Sequence, residues 1–295
     1  MSLADSENDR DAGRARTLAV LGSPIAHSKS PHLHAAAYEV LDLPWKYSAI
    51  EVIEGSLGAF INTCDVSWRG LSLTMPLKRE VLPMLASRSK LVETVGAANT
   101  VLFDDDGGLH GFNTDVAGIV AAFADHGVTA LESVQILGGG ATAASVLAAV
   151  AQLGATRALV SARDPERAAF LQPLAEALAI DLTIRRLGTM DRSLIVPSAV
   201  ISTLPGNSVP GDVEHGMVYP EAIREAAVLL DVAYEPWPSE LASSWTSAGG
   251  TVVSGLEMLL HQAIGQVRIF VTGEENGVLP RELQVIAAMR AAVGL

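Results

Sequence analysis

Residues 134–143 have the pattern of an apolar strand, a glycine-rich turn and the start of an alanine-rich helix. The turn from Gly138 to Ala143 matches the G-x-G-x-x-A spacing of dinucleotide-binding sites. In such sites the first glycine permits a tight turn, the second lets a pyrophosphate approach the backbone, and the alanine lets the helix pack on the strand. The helix N-terminus adds amide donors and the positive end of its dipole. We therefore predict a dinucleotide site at this turn.

Apolar strand segments continue along the chain and alternate with alanine-rich helical stretches. The segments lie at 134–137, 158–161, 182–185, 199–203 and 228–233. This alternation is typical of βαβ units in a parallel sheet. Beyond Gly255 apolar residues recur at helical spacing, and a last helix follows Pro280. The pattern predicts an α/β chain with a Rossmann-type, doubly wound dinucleotide-binding domain.

The end of the strand after the glycine-rich turn bears on the choice between NAD and NADP. An acidic residue there binds the ribose 2′-hydroxyl of NAD, whereas an arginine suits the 2′-phosphate of NADP. The sequence offers both, Arg163 and Asp164, and Arg167 follows one turn later. Asp164 precedes Pro165 and is typical of a helix N-cap, and Arg163 lies nearer the strand end. Both arginines could instead be solvated surface residues. We favour NADP, with NAD as the alternative.

The N-terminal part of the chain contains shorter strand patterns. Strands are predicted at 17–22, 45–52 and 71–75, and a hairpin is predicted from 100–103 and 109–112. Ser30 and Pro31 predict a helix start with Ser30 as N-cap. Antiparallel pairing of the hairpin brings the residues beside its open end, Asn99 and Asp115, close together.

Polar residues collect at these strand ends and turns. They are Ser28, Ser30, Thr74, Lys78, Asn99 and Asp115. Each alone is typical of a cap, a turn or a solvated surface. In one cleft they would form a hydroxyl-binding site with an ionisable pair.

Composition and charge exclude several functional classes. Acidic residues outnumber basic ones, 33 against 20, for a net charge of −13. This charge argues against nucleic acid or an anionic membrane as a partner, and no apolar stretch reaches the roughly 20 residues of a membrane span. Residues 1–16 carry no apolar segment of a secretion signal and are expected to be a disordered tail. A single cysteine, Cys64, excludes internal disulfides, so a soluble, cytoplasmic protein is expected.

No metal site is expected from the sequence. The seven histidines lack metal-ligand spacing, and residues 104–107 lack the distal glutamate of a calcium loop.

Several motifs, in order, resemble those of the shikimate dehydrogenase family. Residues 22–31 (GSPIAHSKSP) resemble its opening signature, and residues 73–78 (LTMPLK) are similar to its V-T-x-P-x-K segment. Residues 96–100 (GAANT) and 111–118 (GFNTDVAG) resemble its G-A-x-N-T and G-x-N-T-D-x-x-G motifs. Residues 231–236 and 255–262 match as well, so the resemblance spans about residues 17–290.

The resemblance implies reversible, NADPH-dependent reduction of 3-dehydroshikimate to shikimate, a step of chorismate and aromatic amino acid biosynthesis. It implies Lys78 as the catalytic acid/base and Asp115 as its partner. The substrate-binding residues that it implies are Ser28, Ser30, Thr74, Asn99, Asp115, Tyr234 and Gln262. The cofactor-binding residues that it implies are Gly138, Gly139, Gly140, Ala141, Thr142, Ser161, Ala162, Arg163, Val232 and Gly255.

The resemblance also implies a division of the chain. Residues 17–115 and 258–295 are expected to form a substrate-binding domain, to which the C-terminal helices return. Residues 116–257 are expected to form the NADP-binding domain. The protein is expected to act on a small molecule as a monomer or homodimer, without nucleic acid or membrane.

The sequence departs from the family pattern at a few positions. Ser161, Ala162 and Arg163 replace the usual Asn-Arg-Thr, and Ser72 stands where asparagine is usual. Two alternatives remain: a quinate/shikimate dehydrogenase that uses NAD, and a catalytically silent, nicotinamide-sensing regulator. Ser30, which tends to be threonine in the quinate relatives, favours shikimate. The presence of both Lys78 and Asp115 favours an enzyme.

Overall fold

The computed structural model describes residues 13–188, 196–205 and 219–295, and the chain divides into two compact units. Unit 1 comprises Met1–Thr114 and Leu260–Leu295, and unit 2 comprises Asp115–Leu259. Most of the expected N-terminal tail, residues 1–12, lies outside the described residues. Its last residue, Arg16, is buried and donates from Nη1 to the Val66 carbonyl oxygen at 3.0 Å. The expectation of a disordered tail is therefore wrong for Arg16.

Unit 1 contains a six-stranded sheet with the order β2-β1-β3-β5-β6-β4. Its strands are β1 (Thr17–Gly22), β2 (Lys46–Glu51), β3 (Trp68–Leu73), β4 (Ser87–Arg88), β5 (Thr100–Phe103) and β6 (Leu109–Phe112). β1 pairs in parallel with β2 and β3, whereas β5 is antiparallel to β3 and β6. The predicted hairpin is confirmed in β5 and β6.

Strand β3 differs from its prediction. It begins at Trp68 and ends at Leu73, and Ser72 is as buried as its neighbours Leu71 and Leu73. The sequence predicted the strand at 71–75. The strand lies between β1 and β5. The buried Ser72 hydroxyl accepts from Tyr47 and donates to Gln266, and these bonds offset the cost of its burial.

The helices are numbered in chain order. They are α1 (Ser30–Val40), α2 (Leu57–Ile61), α3 (Leu77–Glu80), α4 (Lys90–Val95), α5 (Asp115–Asp125), α6 (Ala141–Gln152), α7 (Pro165–Ala168), α8 (Leu171–Ala177), α9 (Glu221–Ala226), α10 (Glu240–Ser247), α11 (Gly255–Thr272) and α12 (Glu282–Val293). In unit 1, α12 packs against α1.

The prediction of Ser30 as N-cap was wrong by one residue, since Lys29 is the N-cap. The Ser28 hydroxyl accepts from the Ser30 amide at 3.3 Å.

Unit 2 is built on a six-stranded sheet whose pairings are all parallel. Its strands are β7 (Ser133–Leu137), β8 (Arg157–Ala162), β9 (Asp181–Arg186), β10 (Ala199–Ser202), β11 (Val228–Asp231) and β12 (Val252–Ser254). The order β12-β11-β10-β7-β8-β9 is that of a doubly wound dinucleotide-binding fold. The predicted fold class is confirmed. The order reverses between β7 and β10, and ligands bind outside the carboxyl ends of strands at such a point.

In the described part of the chain, no helix is long and apolar enough to cross a membrane.

Candidate active site

The glycine-rich turn follows β7 at the point where the strand order reverses. Gly138 has φ +103°, and a Cβ there would collide with the hydroxyl of Thr203, the residue after β10. A Cβ on Gly139 would lie 2.6 Å from the Ala168 Cβ. The fold itself therefore requires glycine at both positions.

Gly140 differs from the two preceding glycines. A Cβ on Gly140 would meet no heavy atom of the described residues within 4 Å, and Gly140 is the N-cap of α6. Ala141 and Thr142 form the first turn of this 12-residue helix, whose leading amides have no partner within the helix. The open space and the amides suit a phosphate group.

The end of β8 places the residues expected at the adenosine end of the cofactor. Ser161 is buried, and its hydroxyl accepts from Gln135 Nε2 at 3.2 Å. A Cβ on Gly139 would lie 3.0 Å from the Ala162 Cβ, so Ala162 borders the glycine-rich turn. Arg163 follows and is exposed.

Asp164 caps α7, accepting from the amides of Glu166 and Arg167 at 3.1 Å each, which confirms the predicted N-cap. Its carboxylate is thereby committed to the helix, and Arg163 is the charged group at the strand end.

A second arginine near this strand end was missed by the sequence reasoning. Arg186, the last residue of β9, pairs in register with Ala162 of β8. Residues paired in this way project from the same face of a sheet, so Arg186 lies on the face of Ala162 and the glycine-rich turn. Two arginines at the end of the predicted strand 182–185 were the sequence signal. The sheet order that places β9 beside β8 was not visible in the sequence.

Val232 and Gly255 are brought together at the carboxyl ends of β11 and β12. A Cβ on Gly255 would collide with the Val232 carbonyl oxygen. Tyr234, two residues after Val232, is half-buried. Asp231 at the end of β11 accepts from Ser239 Oγ at 2.5 Å and from the Ala233 amide at 3.3 Å. Burial raises the pKa of the Asp231 carboxyl above its ordinary value.

Asn99 is the centre of the polar cluster in unit 1. Its Oδ1 accepts from the Thr114 amide and the Thr100 hydroxyl, both at 2.9 Å. Its Nδ2 donates to Thr114 Oγ1 at 2.9 Å and to Gln262 Oε1 at 3.2 Å. Because a backbone amide can only donate, the Thr114 bond fixes which end of the Asn99 amide faces Gln262. Gln262, which lies on α11, is therefore joined to Asn99, the residue before β5.

Lys78 and Thr74 lie on the segment that follows β3. The Thr74 amide donates to the Leu21 carbonyl at 2.9 Å, and Thr74 is half-buried. Lys78 lies in the short helix α3 and is buried. Its carbonyl oxygen accepts from the Ala98 amide at 2.8 Å, which joins the Lys78 backbone to the residue preceding Asn99. The structure thus connects Lys78 to the Asn99 cluster through the backbone.

Asp115 is the first residue of α5 and of unit 2. It is buried, and its Oδ2 accepts from Ser145 Oγ of α6 at 3.5 Å. It directly follows Thr114, whose amide is bonded to Asn99. The Asp115 carboxylate is thus bonded to α6, while the backbone amide of the residue before it is bonded to Asn99.

Known proteins resemble both units. Residues 20–101 match the family model described as the shikimate dehydrogenase substrate binding domain. The shikimate dehydrogenase (NADP(+)) of Methanothermobacter thermautotrophicus is 30% identical over 89% of this chain and 93% of its own. A shikimate 5-dehydrogenase from Mycobacterium fortuitum superposes with a TM-score of 0.76 at 37% identity, covering 94% of this chain and 97% of that one. The shikimate 5-dehydrogenase of Thermus thermophilus, solved with NADP(H) and shikimate, has a TM-score of 0.73 at 28% identity, covering 94% and 99%. The chain belongs to the shikimate dehydrogenase family.

Proposed function

We propose that this protein is a shikimate dehydrogenase, which reduces 3-dehydroshikimate to shikimate reversibly with NADPH in chorismate and aromatic amino acid biosynthesis. The buried amide cluster of Asn99 and Gln262, joined through the backbone to Lys78, carries this proposal. Relatives named shikimate dehydrogenase (NADP(+)) support the same activity. The single cysteine, Cys64, supports a reducing, cytoplasmic location, and we expect a monomer or homodimer.

The substrate is a carboxylate that carries several hydroxyls. We assign its carboxylate to Ser28 and Ser30 at the start of α1, an 11-residue helix whose N-terminal dipole favours an anion. We assign its hydroxyls to Thr74, Asn99, Asp115 and Gln262, with Tyr234 contributing from unit 2. Buried amides with fixed orientation discriminate strongly, since a ligand that lacks the matching hydroxyl leaves them without a partner.

The residues of unit 2 fit a bound NADP. The phosphates would lie at Gly138, Gly139, Gly140, Ala141 and Thr142, where Gly140 leaves space in front of α6. Ser161, Ala162 and Arg163 border the adenosine end, where Arg163 supplies charge for the 2′-phosphate. Val232 and Gly255 would border the nicotinamide. When bound, the nicotinamide exchanges a hydride with the carbon that bears the reacting oxygen.

Lys78 supplies the proton in the proposed reaction. Its ammonium gives a proton to the carbonyl oxygen as 3-dehydroshikimate becomes shikimate, and its amine takes that proton back in the oxidation. Asp115 provides the negative charge that stabilises and orients the ammonium. Burial of both residues strengthens this electrostatic effect relative to bulk water.

Steady-state rates with four substrate pairs test the proposal. Shikimate and quinate are each supplied with NADP⁺ and with NAD⁺, and we expect the highest kcat/KM for shikimate with NADP⁺. Preferred turnover of quinate with NAD⁺ would identify the quinate/shikimate enzyme instead. Dinucleotide binding without turnover of either acid would favour the regulatory alternative.

Replacing Arg163 by alanine is expected to raise the KM for NADP⁺ by about 10- to 100-fold, the loss typical of a hydrogen bond to a charged group. The KM for NAD⁺, which lacks the 2′-phosphate, should change little. Arg157→Ala is the matched control, because Arg157 lies at the other end of β8 and pairs with Glu132 at 2.7 Å. Equal losses for both cofactors in the Arg163 variant would place the 2′-phosphate contact elsewhere.

Replacing Ser28 by alanine is expected to raise the KM for shikimate by about 10-fold or more, because a hydrogen bond to a carboxylate is lost. The KM for NADP⁺ serves as the internal control and should stay unchanged. Both constants come from the same initial-rate measurements. An unchanged KM for shikimate would contradict the assignment of its carboxylate to Ser28.

A further inference from the structure

A second glutamine on α11 is also hydrogen-bonded to Asn99. Gln266 lies one turn after Gln262 and is almost completely buried, at 1% exposure. Its Nε2 donates to the Asn99 carbonyl oxygen at 3.3 Å, whereas Gln262 Oε1 accepts from the Asn99 side chain at 3.2 Å. One helix therefore contacts both the peptide and the side chain of the same residue.

The orientation of the Gln266 amide is determined by its partners. Its Oε1 faces Ser72 Oγ at 2.9 Å and His34 Nε2 at 3.2 Å, and its Nε2 faces a carbonyl oxygen that can only accept. A flipped amide would place its own oxygen against the Asn99 carbonyl oxygen. Gln266 is therefore held in the orientation that donates to Asn99.

Three ring side chains, those of Tyr47, His34 and Tyr38, extend the hydrogen-bond network around Gln266. The Tyr47 hydroxyl donates to Ser72 Oγ at 2.6 Å, so the Ser72 proton is directed to Gln266. His34 stacks on Tyr47 with ring centroids 3.8 Å apart, and its Nδ1 lies 3.1 Å from the Tyr38 hydroxyl. Burial lowers the pKa of His34 to about 3, so the ring is neutral at physiological pH. A neutral ring that accepts from Tyr38 at Nδ1 carries its hydrogen on Nε2 and donates it to Gln266.

We propose that Gln266, fixed by His34 and Ser72, is a positioning residue that holds the Asn99 peptide and so orients the Asn99 side chain toward the substrate. This role rests on the proposed function, because it assigns Gln266 to the recognition of shikimate through Asn99. The Asn99 carbonyl also accepts from the Leu73 amide at 2.7 Å. Gln266 is a further donor to that oxygen, and it joins the Asn99 peptide to α11, the helix that carries Gln262.

If Gln266 had a purely structural role, its replacement would lower the stability of the protein without a selective effect on substrate binding. Buried polar networks often stabilise a unique core, and removal of one member leaves its partners without hydrogen bonds. The test must therefore separate the KM for shikimate from the melting temperature and from the KM for NADP⁺.

The test compares Gln266→Met, Ser72→Ala and Trp245→Phe in the full chain. Gln266→Met keeps the volume and removes every hydrogen bond of the amide, and Ser72→Ala removes one of its two supporting donors. Trp245→Phe is the control, because it removes a comparably buried hydrogen bond to the Ala227 carbonyl, 2.7 Å long, in unit 2. Each variant is measured for Tm, for the KM of both substrates, and for shikimate binding by titration calorimetry.

Gln266→Met is expected to raise the KM and the Kd for shikimate about 10-fold, as for the loss of one well-made buried hydrogen bond, with the KM for NADP⁺ within twofold of wild type. Ser72→Ala should raise the KM and the Kd for shikimate by a smaller factor. Trp245→Phe should lower Tm and leave the shikimate constants unchanged. If Gln266→Met does not fold, Ser72→Ala decides by the same criterion.

The proposal is overturned if the shikimate constants of Gln266→Met match those of wild type, or if the KM for NADP⁺ rises equally. It is also overturned if Trp245→Phe raises the shikimate constants as much. Calorimetry separates failure of this proposal from failure of the proposed function, because it measures shikimate binding without turnover. A wild-type protein that binds shikimate through Gln266 but does not oxidise it overturns only the proposed function, and absence of both binding and turnover overturns both.

Discussion

Replacing Lys78 by alanine is expected to lower kcat and kcat/KM for shikimate together, by about 10²–10⁴-fold, with little change in KM. The proposed contribution of Lys78 arises as the proton moves, so it stabilises the transition state rather than bound shikimate. Initial rates with saturating NADP⁺ over a range of shikimate concentrations give both constants.

Arg79→Ala is the matched control for Lys78. Arg79 is the next residue of α3, carries the same charge and is exposed, so its loss should change the rate little. If Lys78→Ala raised KM while kcat held, Lys78 would only anchor a substrate hydroxyl. Another group would then have to carry the proton, and the fold and cofactor assignments would be unaffected.

Replacing Asp115 by asparagine is expected to lower kcat by a factor similar to that of Lys78→Ala or slightly smaller. Asparagine keeps the shape and one acceptor for Ser145 but removes the charge proposed to stabilise the Lys78 ammonium. The double variant should be little slower than Lys78→Ala alone, because residues that act as a unit are not additive. The four rates of this double-mutant cycle measure the coupling between the two side chains.

Asp125→Asn serves as the control for Asp115. Asp125 ends the same helix that Asp115 begins, and it is exposed. Its replacement makes the same chemical change without a proposed role in proton transfer. Fully multiplicative losses in the Lys78 and Asp115 variants would show that the two residues act independently, contrary to the proposed pair.

The parts of the fold that the sequence predicted are those with a local cause. Five of the six parallel strands of unit 2 were visible because each is a short apolar run, whereas β12 was not predicted. The hairpin was visible because two such runs flank an aspartate-glycine turn. Gly138 was assigned correctly to a tight turn, since its φ of +103° is one that residues with a Cβ rarely adopt. The Asp164 cap was recognised because the proline after it marks the first turn of a helix.

The parts that were missed depend on residues far apart in the chain. Gln266 contacts His34 across 232 positions and Asn99 across 167, and no local pattern reports such contacts. The burial of Ser72 was not predicted, because alternation shows which residues share a side of a strand but not whether that side is covered. Arg186 became a neighbour of Ala162 only through the order of the strands.

The division of the chain into units has a consequence for how the protein is made. Unit 2 is contained in one stretch, Asp115–Leu259, whereas unit 1 is assembled from Met1–Thr114 and Leu260–Leu295. Since chains emerge from the ribosome N-terminus first, every residue of unit 2 is available before the helix that carries Gln262 and Gln266 exists. Helix α1 cannot pack against α12 until the C-terminal segment has been made. The 2.8 Å ion pair between Asp42 and Arg281 cannot form before then either. During synthesis, the dinucleotide-binding fold can therefore be complete while the cluster around Asn99, which we propose binds the substrate, still lacks Gln262 and Gln266.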